Sequence, residues 1–290
     1  MIDYINFVGR NGASISLNDD VYPLTTYDSQ VETATEERLR PSQHGLFPTY
    51  TYMGKRTFHM EGDIFGSDTA DFISKRIALL APFVPVPEYG FQSIGTLVVK
   101  YTGLSEPVQA ECFPDGLPAV PLEALSPSRG TFAISLQTFD PIMYGSNPIV
   151  AKSGLPAGGG GFTFPITFPF TFPGPGGGGD INVTNSGNAA VYPIITVFGP
   201  CTSPSLTLKA FGQSFLFALT GIQLNTGDFA IIDFKARTVT TNTQGSAYAY
   251  VTPGSSWWQI PPGTSTISFS AFSASGAAHA EVQFSNGYMV

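Results

Sequence analysis

SLTLKAFGQSFLFALTG, residues 205–221, reads as two short runs, SLTLKAFG and SFLFALTG, in which apolar and polar side chains alternate. An extended chain sends successive side chains to opposite faces, so such alternation marks strands with one buried face. The text around it repeats the pattern in DINVTN (180–185), VYPIITVFG (191–199), DFAIIDFKARTVTT (228–241), SAYAYVT (246–252), STISFSAF (265–272) and AHAEVQFS (278–285). No run of helical period competes. About eight or nine strands at this spacing predict a β-sandwich over residues 180–290.

Residues 1–150 read as a second β-rich domain. Strand text opens it in IDYINFVG and ASISL, and the charged stretch from Asp28 to Arg40 is expected to be an exposed loop. LFPTYTYM and KRTFHMEGDI form an expected strand pair with Gly54 and Lys55 as its turn. A helix is predicted over Ser67 to Leu80, capped by Ser67, with Asp68 and Asp71 at its positive end and Pro82 stopping it. Phe72, Ile73, Ile77 and Leu80 would lay it on a sheet. TLVVKYTG and TFAISLQTF alternate as strands, and the proline-rich PFVPVPEYG and FPDGLPAVPLEALSP read as long extended loops suited to touching neighbours.

Between the two lies GGGGFTFPITFPFTFPGPGGGG, residues 158–179, within an arm set at 151–179. Phe162, Phe164, Ile166, Phe168, Phe170 and Phe172 are all even-numbered, whereas the Thr and Pro residues between them are odd-numbered. An extended arm would put the apolar side chains on one face, and its prolines would damage only one strand edge. The arm is therefore expected to be a one-sided edge strand, docking on its own domain or on a neighbouring subunit, rather than a slack spacer.

Charge and composition narrow the function. Charged residues are 12% of the chain, about half the usual share of roughly 25%. Residues 1–150 hold 17 acids and 9 bases and residues 151–290 hold 4 of each, so the first half carries the whole net charge of −8. Neither half has the basic field that nucleic acid requires. The opening MIDYINFVGRNG lacks a basic start followed by an apolar run, and no stretch nears about 18 apolar residues, so neither a signal peptide nor a membrane span is expected. Cys112 and Cys201 are expected to be free thiols.

Catalytic text is sparse. His44, His59 and His279 are scattered, and phosphate-loop, HExxH, CxxC and GxSxG patterns are missing from the sequence, so no metal and no cofactor is expected. Asp228 and Asp233 could in principle serve glycoside hydrolysis. Their context instead suggests a turn cap and an ion pair with Lys235 and Arg237, and no enzyme is expected. Tyr248, Tyr250, Trp257 and Trp258, beside Pro261 and Pro262, either close the sandwich or offer a stacking surface to a sugar or a partner. Adjacent tryptophans in a strand must face opposite ways, one to the core and one outward.

The order of these segments resembles the distal tail proteins of long, non-contractile-tailed phages. In the first half the resemblance rests on HGLFPTYTYMGKRTFHMEGDIFG, with Arg56 and Gly62, the helix, and TFAISLQTFDPIMYG. In the second it rests on INVTNSGNAAVYPIITVFGP, GDFAIIDFKARTV and WWQIPPGTSTISFSAF. It implies a mostly β chain with an N-terminal barrel- or sandwich-like ring domain carrying one packed helix, followed by a galectin-like β-sandwich. It also implies a structural virion protein of the tail tip, made in the host cytoplasm and closing a homo-hexameric ring. The implied partners are the tail tube protein, the tape measure protein and a tail-tip or receptor-binding protein. A carbohydrate-binding adhesin module, with a host glycan as its partner, is the alternative.

Overall fold

The structure, a computed structural model, describes residues 1–35, 44, 51–85, 94–121, 128–154, 179–271, 273–274 and 278–290. The arm residues Phe162, Phe164, Ile166, Phe168, Phe170 and Phe172 lie outside the described residues. The chain divides into two compact units, Met1–Ser146 with Tyr288–Val290, and Asn147–Gly287. It is mostly β, with a single α-helix among the described residues.

The first unit contains β1 (Ile2–Val8), β2 (Ser14–Leu17), β3 (Leu24–Thr35), β4 (Thr51–Phe65), α1 (Thr69–Leu80), β5 (Gly95–Tyr101), β6 (Val108–Pro114), β7 (Arg129–Thr138) and β8 (Met143–Gly145). The strands run in the order β2-β1-β5-β6-β7-β4-β3. Strand β6 pairs with β5 through Gly95–Val99 but with β7 only through Phe113 and Pro114, so it passes the sheet from one half to the other. Side chains from both halves, including Phe7, Leu97 and Val99 from one and Phe58, Met60 and Phe132 from the other, share one buried cluster. The halves also meet through Tyr27 on β3 and Tyr101 on β5, whose hydroxyls lie 2.9 Å apart. Burial raises the pKa of both phenols, so both stay neutral and able to donate.

Two expectations for the strands of this unit are corrected. Residues 28–35 are not loop: they belong to β3, which pairs with β4 from Leu24↔Gly62 to Thr35↔Thr51. Gly54 and Lys55 are not a turn either, because β4 runs straight through them. The register slips between Val31 and Thr33, and Gly54 lies against Glu32 there while Lys55 reaches the Glu32 carboxylate at 3.4 Å. A bulge absorbs the glycine that sequence alone reads as a hairpin tip. Gly62 has a stricter reason to be glycine, since a Cβ would stand 2.4 Å from the Pro23 carbonyl oxygen and 2.6 Å from the Phe132 ring.

Helix α1 is capped by Asp68, not Ser67: the Asp68 carboxylate accepts from the Asp71 N–H at 2.9 Å. Asp71 reaches back to the Ser67 N–H at 2.8 Å and to Lys75 at 2.8 Å. Asp68→Ala should cost about 1 kcal/mol of stability, read as a lower urea midpoint, and an unchanged midpoint would refute the cap's contribution. The buried face also differs from the expected stripe. Phe72 and Leu79 are buried, whereas Ile73 and Ile77 are exposed. The Phe72 ring lies where a Cβ on Gly130 would fall 2.8 Å away, and the Tyr22 hydroxyl donates to the Lys75 carbonyl at 2.9 Å, which together fix the helix rotation.

The second unit begins with β9 (Ile149–Gly154), which pairs with β21 before residues 155–178. The chain resumes with β10 (Gly179–Asn185), β11 (Ile194–Phe198), β12 (Cys201–Thr202), β13 (Ser205–Ala210), β14 (Gln213–Ala218), β15 (Gln223–Leu224), β16 (Phe229–Asp233), β17 (Thr238–Thr241) and β18 (Gly245–Ser246). It closes with β19 (Gly263–Ser270), β20 (Ser273–Ala274) and β21 (His279–Phe284), and β22 (Gly287–Tyr288) then leads the chain back to the first unit's last residues. The strand orders are β10-β19-β13-β14, β18-β17-β16-β11-β21-β9 and a short β15-β12-β20. Inward residues of the first two, such as Leu206, Leu208, Ile267, Ile195, Val197 and Val282, are all buried. Phe217 of β14 meets Phe234, just past β16, at 5.1 Å between ring centres, so the two sheets share a core. SAYAYVT is not a strand: Tyr248–Tyr250 form a 3-10 turn. Cys112 and Cys201 are free and buried, and burial pushes their thiols up to about 12 and about 11, which keeps both unreactive at neutral pH.

Candidate functional site

The four aromatic residues singled out by the sequence converge only in part. After β18 the chain turns through Tyr248–Tyr250 and then lies along the outer edge of β14. The Thr220 N–H donates to the Tyr250 carbonyl at 2.8 Å, Thr252 N–H to Ala218 at 2.9 Å and Ser256 N–H to Leu216 at 2.8 Å. This clamp carries the next two residues, Trp257 and Trp258, onto the sandwich rim.

Trp258 is buried, with its ring 4.2 Å from Phe234, and its indole N–H has no hydrogen-bond partner among the described residues. Trp257 is half-buried and stands edge-on to Phe217 at 4.7 Å and to Phe234 at 5.6 Å. The two tryptophans lie outside any strand, and both rings pack on Phe234, Trp258 as the more deeply buried of the two. Tyr248, 53% exposed, lies parallel to Trp257 at 6.3 Å and 6°. Tyr250 points elsewhere, its hydroxyl 3.4 Å from Gln244 Oε1. The rim thus presents a Tyr248–Trp257 pair on a Phe217–Phe234 base, with Trp258 as core.

The candidate acids are occupied by backbone. Asp228 accepts from the Asn225 N–H at 2.9 Å, and Asp233 accepts from the N–H groups of Lys235 and Ala236 at 2.9 and 2.8 Å. Both are turn caps, which for Asp233 adds a role the sequence assigned to pairing with Lys235 and Arg237. His59 is held by Ser135 and Glu61, His279 stacks on Phe198 at 4.5 Å, and among the described residues no cluster could hold a metal ion.

One site in the first unit was visible in the sequence only as part of a resemblance. Arg56 is 1% exposed and is the largest fully buried side chain. Its guanidinium donates to the Val290 carbonyl at 2.8 Å and to Ser29 Oγ at 3.3 Å, and touches Met289 Sδ at 3.4 Å. Burial lowers its pKa from the ordinary value. The buried guanidinium clasps Met289 and Val290 to β3.

Residues 186–288 match the SPP1 Dit family, described as a siphovirus-type tail component, C-terminal domain. The second unit carries a siphovirus tail-component domain. The likeness to distal tail proteins read from the order of segments is sustained by this match over the second unit. Among solved structures, the SPP1 Dit protein, titled a paradigm of hub adsorption apparatus in phages infecting Gram-positive hosts, aligns over 98% of both chains at 11% identity with a TM-score of 0.63. That likeness shows a shared fold along both units. A chain of the phage P2 baseplate in its activated conformation with Ca aligns over 98% of both chains at 10% identity, with a TM-score of 0.43. No curated protein matches the tail-component chain in sequence.

Proposed function

We propose that this tail component forms a homo-hexameric ring at the tail tip and joins the tail tube to the tip or receptor-binding apparatus. The observation that carries the reading is the fold likeness over 98% of both chains to a protein titled as a hub of an adsorption apparatus. A hub of this kind would meet the tail tube and tape measure proteins on one side and a tail-tip or receptor-binding protein on the other.

The first unit has a physical reason to assemble. Strand β3 is a sheet edge 12 residues long, and its partner β4 leaves β7 at Arg56 and continues to Thr51 against β3 alone. Tyr52 and Met53, in that extension, are 65% and 51% exposed. A strand that is a sheet edge among the described residues, and the exposed side chain of Met53, are liabilities that a subunit interface removes. A head-to-tail contact of this sort closes into a ring when its rotation permits. The acidic balance of the first half argues that its partners are proteins rather than nucleic acid.

Native mass spectrometry and averaged electron micrographs of the purified full chain test this. A mass of about six chains with six-fold averages is the expected result, and a strict monomer at high concentration would count against it. A second reading, an adhesin that binds carbohydrate through the sandwich, draws on the exposed parallel pair Tyr248 and Trp257.

A further inference from the structure

The hairpin β13–β14 turns on two residues, Phe211 and Gly212, with Ala210 opposite Gln213. Both turn residues have positive φ, 52° and 73°. Such two-residue turns favour Asn-Gly, because a side chain with a Cβ is strained at positive φ. Here the first position holds phenylalanine, 83% exposed. The residue is thus unfavourable twice over, for its backbone and for its exposed ring. Strain held at an exposed aromatic tip is the kind of local cost that a binding role sustains.

Beside Phe211 opens a cleft of about 350 Å³, bordered by Lys209, Gln213, Ser214, Thr264 and Thr266. Its floor continues into the outer face of the sheet β10-β19-β13-β14. Strand pairing sets Asn182, Thr266, Lys209 and Ser214 in one row across the sheet, and Asp180, Ser268, Thr207 and Leu216 in the next. Neighbours in these rows bond one another: Thr266 Oγ1 donates to Asn182 Oδ1 at 3.0 Å, Ser268 to Asp180, and Thr184 and Thr264 hydroxyls lie 3.3 Å apart. With Asn182 Oδ1 engaged in this way, its amide N–H groups are left to donate outward, and the threonine oxygens keep acceptor capacity.

We infer that this sheet face, with Phe211 at its lip, binds a saccharide chain. A pyranose needs a flat C–H surface stacked on a ring and hydroxyls met by short, pre-fixed donors and acceptors. Phe211 supplies the first and the Asn182–Thr266–Lys209–Ser214 row the second. A protein partner fits the face less well, since interface cores are rich in aromatic and Arg side chains and poor in Ser, while this face offers Leu216 as its one exposed aliphatic group. Lys209 in one row and Asp180 in the next leave the face no net charge for a polyphosphate. This deepens the adhesin reading by placing the sugar on a surface away from Tyr248 and Trp257, and the ring reading does not depend on it.

The test is binding of the full chain to an array of defined oligosaccharides and to purified bacterial cell-wall polysaccharide, with melting temperature recorded for every variant. Wild type should retain at least one saccharide. Phe211→Gly should weaken that binding by about tenfold or more, while the melting temperature holds or rises because glycine relieves the turn. Thr266→Val should weaken it with little change in melting. No retained saccharide, unchanged binding in Phe211→Gly, or loss through Trp257→Ala alone would each overturn the assignment. So would a Phe211→Gly chain that keeps its sugar binding and instead loses capture of another tail protein.

Discussion

Arg56→Ala should destabilise the first unit by about 3–5 kcal/mol, seen as a lower urea midpoint and as faster amide exchange along β3, β4 and Tyr288–Val290. The expected size comes from what the truncation leaves behind rather than from the charge it removes. The Val290 carbonyl and Ser29 hydroxyl lose a donor inside a nearly closed pocket, and the space of a fully buried side chain stays empty. Burial disfavours the cation, and the contacts at hand are a Val290 oxygen, a hydroxyl and a thioether. Arg56→Met should therefore recover part of the loss by filling the volume. Arg56→Lys should recover less than its charge suggests, because one ammonium cannot reach Ser29, Met289 and Val290 together. An Arg56→Ala midpoint within about 0.5 kcal/mol of wild type would sink the clasp.

Which parts of this fold were legible in the sequence depends on how many faces of each strand are covered. β10, β13, β19 and β21 bury every second residue, and their text alternates accordingly. β3 has no fully buried residue at any of its 12 positions, and from Asp28 to Thr35 its text is polar apart from Val31 and Ala34, so that stretch looks like a loop. Gly54 misled in the opposite direction, since a glycine between two alternating runs signals a turn or a bulge equally and only the partner strand decides. In α1 the periodic apolar set was real, but the face that packs was chosen by Phe72 over Gly130, a contact between residues far apart in sequence. The same holds for the rim aromatics. Trp257 and Trp258 both pack on Phe234, which an alternating extended segment does not foretell. That Tyr248 joins Trp257 while Tyr250 does not depends on a 3-10 turn that YAY conceals, because its alternation imitates a strand.

Phe234→Ala should destabilise the second unit by about 3–5 kcal/mol and shift tryptophan emission to longer wavelength. Phe234 is 0% exposed and touches three other rings, Phe217 at 5.1 Å, Trp257 at 5.6 Å and Trp258 at 4.2 Å. It lies just beyond β16, in one sheet, whereas Phe217 belongs to β14 in the other, so its removal opens the core where the sheets meet. The chain has two tryptophans and both pack on this ring, which makes fluorescence a local reporter with no background from the first unit. Trp258, whose indole N–H already lacks a partner among the described residues, should gain access to water and move its emission most. Phe234→Leu should shift both readings less, because it refills much of the volume. The rim pair should suffer with the base: Trp257 loses one of its two edge contacts, and Tyr248 stacks on Trp257. A Phe234→Ala protein with wild-type emission and midpoint would mean that the sandwich closes without this ring, and the Tyr248–Trp257 surface would then have to owe its geometry to the β14 edge clamp alone.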